Sequence, residues 1–399
     1  NVLDSKRKYT FFVVNSNDVN AFAVPGGYIG LNAGLIKLTK NEAQLAGVIA
    51  HEISHIKLRH SAEMIANSNM NNIPMWVGII AGIFAGNTEA SLAALKLGLG
   101  QTAQANINLI RANEVEADGY AVEIMYRSNY SIKEMANFFY DMQNATGEIQ
   151  SNLAYLSTHP MYENRIANIK NRSVKQDIAM KNTTDDYIFI KNILSVETIG
   201  DINNSIKKIV NKNRYTAHKL GLLYFKKSDY KNAYKVIYPA YMENKNNLYI
   251  SILFAKILAN KEDIDEALVV LNHIKNIYPL NSVVSLSIAE ILIENKKSLN
   301  YAEQLLIPLE SHYSLNPNYL RLVSKLYTMR NNYFKSAMFL SDYYVLLGEV
   351  KVALEVIENS IKSNKISSSR KQVLEAKKLS IICSGPRPLE PLFGEKTCN

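Results

Sequence analysis

The feature that most limits what this chain can become is a period. Beyond a polar stretch near 171–186, Leu220, Gly221, Tyr224, Ala233 and Ala240 are matched 34 residues later by Phe254, Ala255, Leu258, Ala267 and Ile274, with Pro279 closing the second unit. A third copy follows, with Ile288, Ala289 and Leu292 at the same period, Ala302 one inserted residue later, and Leu306 one helical turn beyond it. Self-similarity at such a period marks a stacked array of small units. The 399 residues, 47% of them hydrophobic, are also too many for one ordinary core and supply apolar material for two. The chain therefore reads as one domain over 1–180, a repeat region over 181–382 and a tail over 383–399.

The spacing resembles the tetratricopeptide repeat, in which small residues let the two helices of a hairpin approach closely and large ones fill the gap. Later segments, Tyr333–Ser336 and Ala353–Ile357, keep the pattern but can be grouped in more than one way, so four or five hairpins are expected. Repeats of this kind stack into a superhelix whose concave face binds protein.

Ahead of the repeats the patterning differs. Residues 11–14 and 21–30 are short apolar runs punctuated by Asn, Pro and Gly, which suits strands joined by a turn in a small sheet. From Asn41 the pattern turns helical, with Leu45, Val48, Ile49, Ile53 and Ile56 at steps of three and four. The expected fold is mainly α: an α+β domain with a small β-sheet, then the helical repeats.

Residues 73–86 form the most apolar stretch and contain the only tryptophan. Fourteen residues are too few to span a bilayer. Two readings stand: a buried helix beneath the functional site of the first domain, or an exposed loop giving peripheral contact with lipid or a protein partner. No signal peptide or apolar span of about twenty residues is present. The chain opens on Asn1 and not on Met, so the lack of a targeting segment decides nothing.

The net charge of +9 lies wholly in residues 181–399. Its lysines are scattered at helical spacing among Asn, Tyr and Leu, with no dense run and no reader motif, which argues for a solvated helical face and against a nucleic-acid partner. The two cysteines, Cys383 and Cys398, flank a Pro/Gly-rich tail. A pair closing a short terminal loop reads as a disulfide formed in an oxidising compartment, the alternative being two free thiols.

Chemistry enters at His51-Glu52-Ile53-Ser54-His55, an H-E-x-x-H sequence inside the helical stretch. Residues four apart share a helical face, so both imidazoles can reach one metal ion while Glu52 stands where a general base is needed. Zinc accepts such nitrogen ligands in a tetrahedral site. A third ligand is offered by Glu114, four residues before Asp118, so that one carboxylate can bind zinc while the other holds a ligand histidine through its second ring nitrogen. Glu116 points elsewhere on that helix. A layout with a third histidine six residues after His55 is not met, because Ser61 stands there. His60, one residue off that register, reads as an ordinary surface or helix-end histidine.

Taken with Phe22-Ala23-Val24-Pro25-Gly26-Gly27-Tyr28-Ile29, Thr158-His159-Pro160 and Arg165, these motifs resemble the zincin-type metallopeptidase family that includes the CaaX prenyl proteases and the heat-shock protease HtpX. With a repeat domain attached, the resemblance is to periplasmic bacterial members. It implies one zinc per chain on His51, His55 and Glu114, Glu52 as base, and Asp118 as the orienting carboxylate. It further implies that His159 can approach the zinc and restrain activity, or stand with Arg165 near the reacting carbonyl. Read from the residues alone, those two are equally a helix-start histidine and a structural arginine. Family members carry a signal peptide and a helical segment before the first strand, so the domain over 1–180 is expected to lack its start.

The reaction expected is metal-assisted peptide hydrolysis, with Glu52 moving the proton and His159 or Arg165 stabilising the oxyanion. Gly27, Tyr28 and Ile29 are expected at a sheet edge on which a substrate strand is laid, a plain turn and buried strand being the alternative. The resemblance implies a periplasmic endopeptidase, whether or not membrane-associated, that handles unfolded or stalled clients and works with the outer-membrane assembly machinery. The competing reading is a chaperone or assembly scaffold whose zinc site is kept shut.

Overall fold

The computed structural model describes residues 8–24, 26–60, 103–145, 155–161, 164–173, 183–210 and 212–383. The apolar stretch at 73–86, Pro25 and Cys398 lie outside the described residues. The chain divides into two compact units, Asn1–Val210 and Asn211–Asn399. Among the described residues no helix is long and apolar enough to cross a membrane.

The first unit opens with three strands, β1 (Thr10–Val14), β2 (Ala21–Val24) and β3 (Tyr28–Asn32), in the order β1-β3-β2. Within residues 21–30, whose Pro and Gly punctuation suits a turn, the chain turns at Gly26 and Gly27, whose φ values of 97° and 89° glycine adopts without strain. That turn folds β3 back antiparallel on β2. β1 pairs parallel to the other side of β3, starting at Thr10 opposite Tyr28. The sheet-edge expectation for Gly27, Tyr28 and Ile29 is thereby corrected. β3 is the central strand, Ile29 is fully buried, and the Gly27 carbonyl accepts from the Thr10 amide at 2.9 Å. A strand paired on both sides has no main-chain groups left to offer a substrate.

Two helices follow, α1 (Ala33–Leu38) and α2 (Glu42–Leu58). Asn41 caps α2, its side chain accepting the Gln44 amide at 2.9 Å, while Gln44 reaches back to the Lys40 amide at 2.7 Å. These contacts satisfy donors that a helix start leaves open. α3 (Ala103–Arg127), α4 (Ile132–Gln143), the single turn α5 (Tyr155–Thr158) and α6 (Arg165–Ser173) complete the surroundings of α2. α2 packs on α3, α4 and β2, and α6 packs on α3 and α4. The core so formed includes Ile29, Leu35, Val48, Met135, Phe139 and Tyr155, and it surrounds the middle of α2, where His51 to His55 are all buried.

α7 (Asp185–Glu197) and α8 (Ile202–Lys208) end the unit. The Tyr187 hydroxyl on α7 donates to the Thr39 carbonyl at 2.8 Å, and the Thr184 amide donates to Glu42 at 2.8 Å. These bonds tie α7 to the start of α2. The boundary therefore falls after Val210, beyond the polar stretch at which the sequence reading drew it near residue 180.

The second unit is five helical hairpins among the described residues: α9 (Arg214–Lys226) with α10 (Tyr230–Glu243), α11 (Leu248–Asn260) with α12 (Ile264–Ile277), α13 (Ser282–Glu294) with α14 (Leu299–Leu306), α16 (Pro317–Met329) with α17 (Tyr333–Leu346), and α18 (Val350–Lys362) with α19 (Ser368–Cys383). A short α15 (Glu310–Tyr313) follows α14 through a 3-10 turn containing Pro308. Asn and Asp begin most of these helices. Asn213, Asp229, Asn247, Asn281, Asn316 and Asn332 each accept a backbone amide from the first turn. The inserted residue of the third copy lies in the turn between α13 and α14, which runs over 295–298 where the preceding hairpin uses 261–263. Phe254, Ala255, Leu258, Ala267, Ile288, Ala289 and Ala302 are all buried, as their repetition requires.

Candidate metal centre

Four side chains from three stretches of chain converge on one point. His51 and His55 come from α2, Glu114 from α3 and His159 from the residue after α5, and one ligand atom from each lies within 4.8 Å of all the others. Nε2 of His51 is 3.0 Å from Nε2 of His55 and 3.3 Å from Nδ1 of His159. Glu114 stands 3.3 Å from His51 and His55 and 3.0 Å from Nδ1 of His159. Metal–ligand bonds of about 2.0–2.1 Å in a tetrahedron separate the ligand atoms by about 3.3 Å, so these spacings suit a small cation at the centre. Nitrogen lone pairs this close repel one another unless a proton or a metal lies between them.

Outer contacts fix the inner ones. Nδ1 of His51 lies 3.0 Å from Asp118, one helical turn beyond Glu114 on α3. Arg165 on α6 donates from Nε to Asp118 at 2.7 Å and from Nη2 at 2.9 Å, and its Nη1 reaches Glu114 at 2.7 Å and the Pro160 carbonyl at 2.9 Å. The residue is only 1% exposed. Its donors are committed to orienting two carboxylates, so the structure puts Arg165 behind the ligands and not beside a substrate carbonyl. The structural-arginine reading is the one the geometry matches.

Glu52 is buried one position along α2, and its Oε1 lies 3.3 Å from Nε2 of His159 without the geometry of a hydrogen bond. A buried carboxylate oxygen with no hydrogen-bond donor is costly unless a reacting group or an ion uses it. His159 thus turns one nitrogen to the ligand cluster and the other to Glu52.

Electrostatics point the same way. Burial raises the Glu114 carboxyl, but the imidazoles of His159 and His51 outweigh it and hold the acid well below the usual carboxylate range. Burial likewise works against Asp118, and its contacts with His51 and Arg165 lower it. Burial pulls His51 down while Glu114 and Asp118 more than offset it, pushing it up to about 9. Burial depresses His55 to about 3, which keeps it neutral and able to offer a lone pair. The pocket is an acidic one that draws positive charge to its centre.

Two contributors escaped the sequence reading. Tyr155, four residues before His159, stacks on its ring at 4.5 Å between centroids and accepts the His159 amide at 2.9 Å. The i,i+4 spacing was the available signal. The other is His60, expected at the surface and found 3% exposed against His55.

A buried H-E-x-x-H helix whose histidines meet a carboxylate from a second helix is the arrangement expected of a metallopeptidase. Residues 3–173 match the family model of peptidase family M48. Among curated proteins it is similar to the β-barrel assembly-enhancing protease of Escherichia coli O157:H7, 25% identical over 392 residues that cover 93% of this chain and 78% of the relative. The protein of the same name from Yersinia pestis is 31% identical over 185 residues, 46% of this chain and 38% of that one. The mitochondrial metalloendopeptidase OMA1 of Schizosaccharomyces pombe is 30% identical over 166 residues, covering 42% and 47%.

Proposed function

We propose that the chain is a zinc-dependent endopeptidase of the bacterial periplasm that acts on unfolded or stalled clients during assembly of outer-membrane β-barrel proteins. The observation that carries the catalytic part is the convergence of His51, His55, Glu114 and His159 on one point with Glu52 at its rim. His51, His55 and Glu114 would hold the ion, which supplies a Lewis acid that polarises a peptide carbonyl and acidifies water. Glu52 takes the proton from the attacking water and returns it to the leaving amine. Asp118 holds the His51 ring, and Arg165 holds Asp118.

The cellular part is supported by the name of the Escherichia coli relative, and a disulfide between the two cysteines, Cys383 and Cys398, would fit an oxidising compartment. The helical hairpins of the second unit supply the kind of stacked surface that takes protein ligands, and they are the proposed client-binding element.

Elemental analysis of purified protein is expected to return one zinc per chain, lost in the His51→Ala, His55→Ala double variant. Glu52→Gln is expected to keep the metal and lower cleavage of an unfolded protein by about 10²–10⁴-fold, since the amide cannot accept a proton. Turnover close to that of the parent would remove Glu52 as the base. A second reading, a scaffold whose zinc site is held shut, is favoured by one observation: Nδ1 of His159 sits among the ligand atoms.

A further inference from the structure

The chain leaves α2 through Arg59, whose φ of 63° and ψ of 26° lie in the left-handed region that few residues other than glycine adopt. On an unbroken helix, residues five apart are turned about 140° round the axis from one another, and His60 could not meet His55. With the left-handed residue between them, the two rings meet edge to face at 5.0 Å between centroids. Nδ1 of His60 comes to 3.0 Å from Nδ1 of His55. The other nitrogen of His60 faces Glu116 at 3.4 Å.

Proton positions follow from these contacts. His55 turns Nε2 to the ligand cluster, 3.0 Å from His51 and 3.3 Å from Glu114. If Nε2 is to offer a lone pair, the ring proton must be on Nδ1, where the neighbour is Nδ1 of His60. That atom must then be bare, which puts the His60 proton on Nε2, where Glu116 can accept it. A single arrangement of protons satisfies both contacts. His51 has the same outward design, with Asp118 in the place that His60 takes for His55.

We propose that His60 is the positioning residue of His55, fixing the tautomer and rotation of that ring so that Nε2 is held inward for a metal ion. The inference rests on the zinc reading above. Partners of this kind, hydrogen-bonded to the far side of a ligand imidazole, set metal affinity as well as geometry.

The test is zinc affinity of the full chain, stripped of metal and titrated against a chromophoric chelator. His60→Asn, whose Oδ1 replaces Nδ1 as acceptor, is expected to bind zinc within about threefold of the parent, whereas His60→Gln, with its acceptor one methylene further out, and His60→Phe are expected to lose about tenfold or more. Equal affinity of His60→Phe and parent overturns the proposal while leaving the zinc reading intact. A parent that binds no zinc overturns both. Should His60→Phe fail to fold, the Asn and Gln variants decide: if they bind zinc equally, whether tightly or weakly, the acceptor position is irrelevant and His60 has no positioning role.

Discussion

Arg165 grips Asp118 through two parallel hydrogen bonds, Nε to Oδ2 at 2.7 Å and Nη2 to Oδ1 at 2.9 Å, in a place where neither residue meets bulk water. Removing one partner of a buried pair costs far more than the pair contributes, because an uncompensated charge is left behind. Arg165→Met is therefore expected to destabilise the first unit by about 3–5 kcal/mol, read from urea unfolding of the metal-free protein. A loss below about 1 kcal/mol, the scale of an exposed pair, accompanied by a fall in turnover, would return the guanidinium to the role of oxyanion donor.

The second unit carries its own test of close packing. A Cβ on Gly221 would lie 2.3 Å from Cγ1 and 2.5 Å from Cδ1 of Ile237, on the other helix of the same hairpin. The corresponding positions in the next two hairpins, Ala255 and Ala289, hold a methyl group where the first holds none. Gly221→Val is expected to cost about 1–3 kcal/mol by overpacking. Unchanged urea unfolding would mean that Ile237 moves aside freely.

How much of this was legible in the sequence depends on whether the cause is local. His51, Glu52 and His55 lie within one helical turn and a half, and Asn41 marks the start of their helix, so motif and element could be read together. Glu114 and Asp118 follow by the same four-residue logic. The pairing of β1 with β3 was not legible, because a parallel partner is selected across intervening chain and nothing in Phe11 to Val14 names it. Arg165 on α6 lies three helices on from Asp118 on α3 among the described residues, and its role is a matter of which donors remain free after packing. His60 was missed because the left-handed break falls on an arginine, and neither Gly nor Asn announces it.

His218 predicts an acid limb to stability in the second unit. Burial depresses its pKa to about 3, while in the unfolded chain it titrates near 6.5. Between those values the unfolded state binds the proton and the folded state does not, so stability rises with pH across that window and is lost as pH falls through it. The slope from this one group is about 1.4 kcal/mol per pH unit. The residues 34 and 68 positions further on are Ile252 and Leu286, which makes His218→Leu the natural replacement. Stability of that variant, measured by urea unfolding from pH 4 to 7, is expected to be flatter than the parent's by that slope. Parallel curves would show that His218 does not govern the acid limb.

His159 has one nitrogen among the ligand atoms and the other 3.3 Å from Glu52, and Tyr155 holds the ring from behind. Pro160 ends the short helix at this point and restricts the residue before it to extended backbone, so the imidazole is presented on a fixed loop. A fourth protein ligand closes a zinc site in the manner of a structural one, and contact with Glu52 also occupies the base. Opening then requires a client, or a shift of the loop, that favours the arrangement without this contact by differential binding. If the closed arrangement holds about nine-tenths of the molecules, His159→Ala is expected to raise basal cleavage of an unfolded protein about tenfold with zinc stoichiometry unchanged. Unchanged cleavage would mean that the ring does not compete with substrate. A fall in cleavage would instead assign His159 to the oxyanion, since a group that stabilises the transition state lowers the rate on removal whereas a latch raises it.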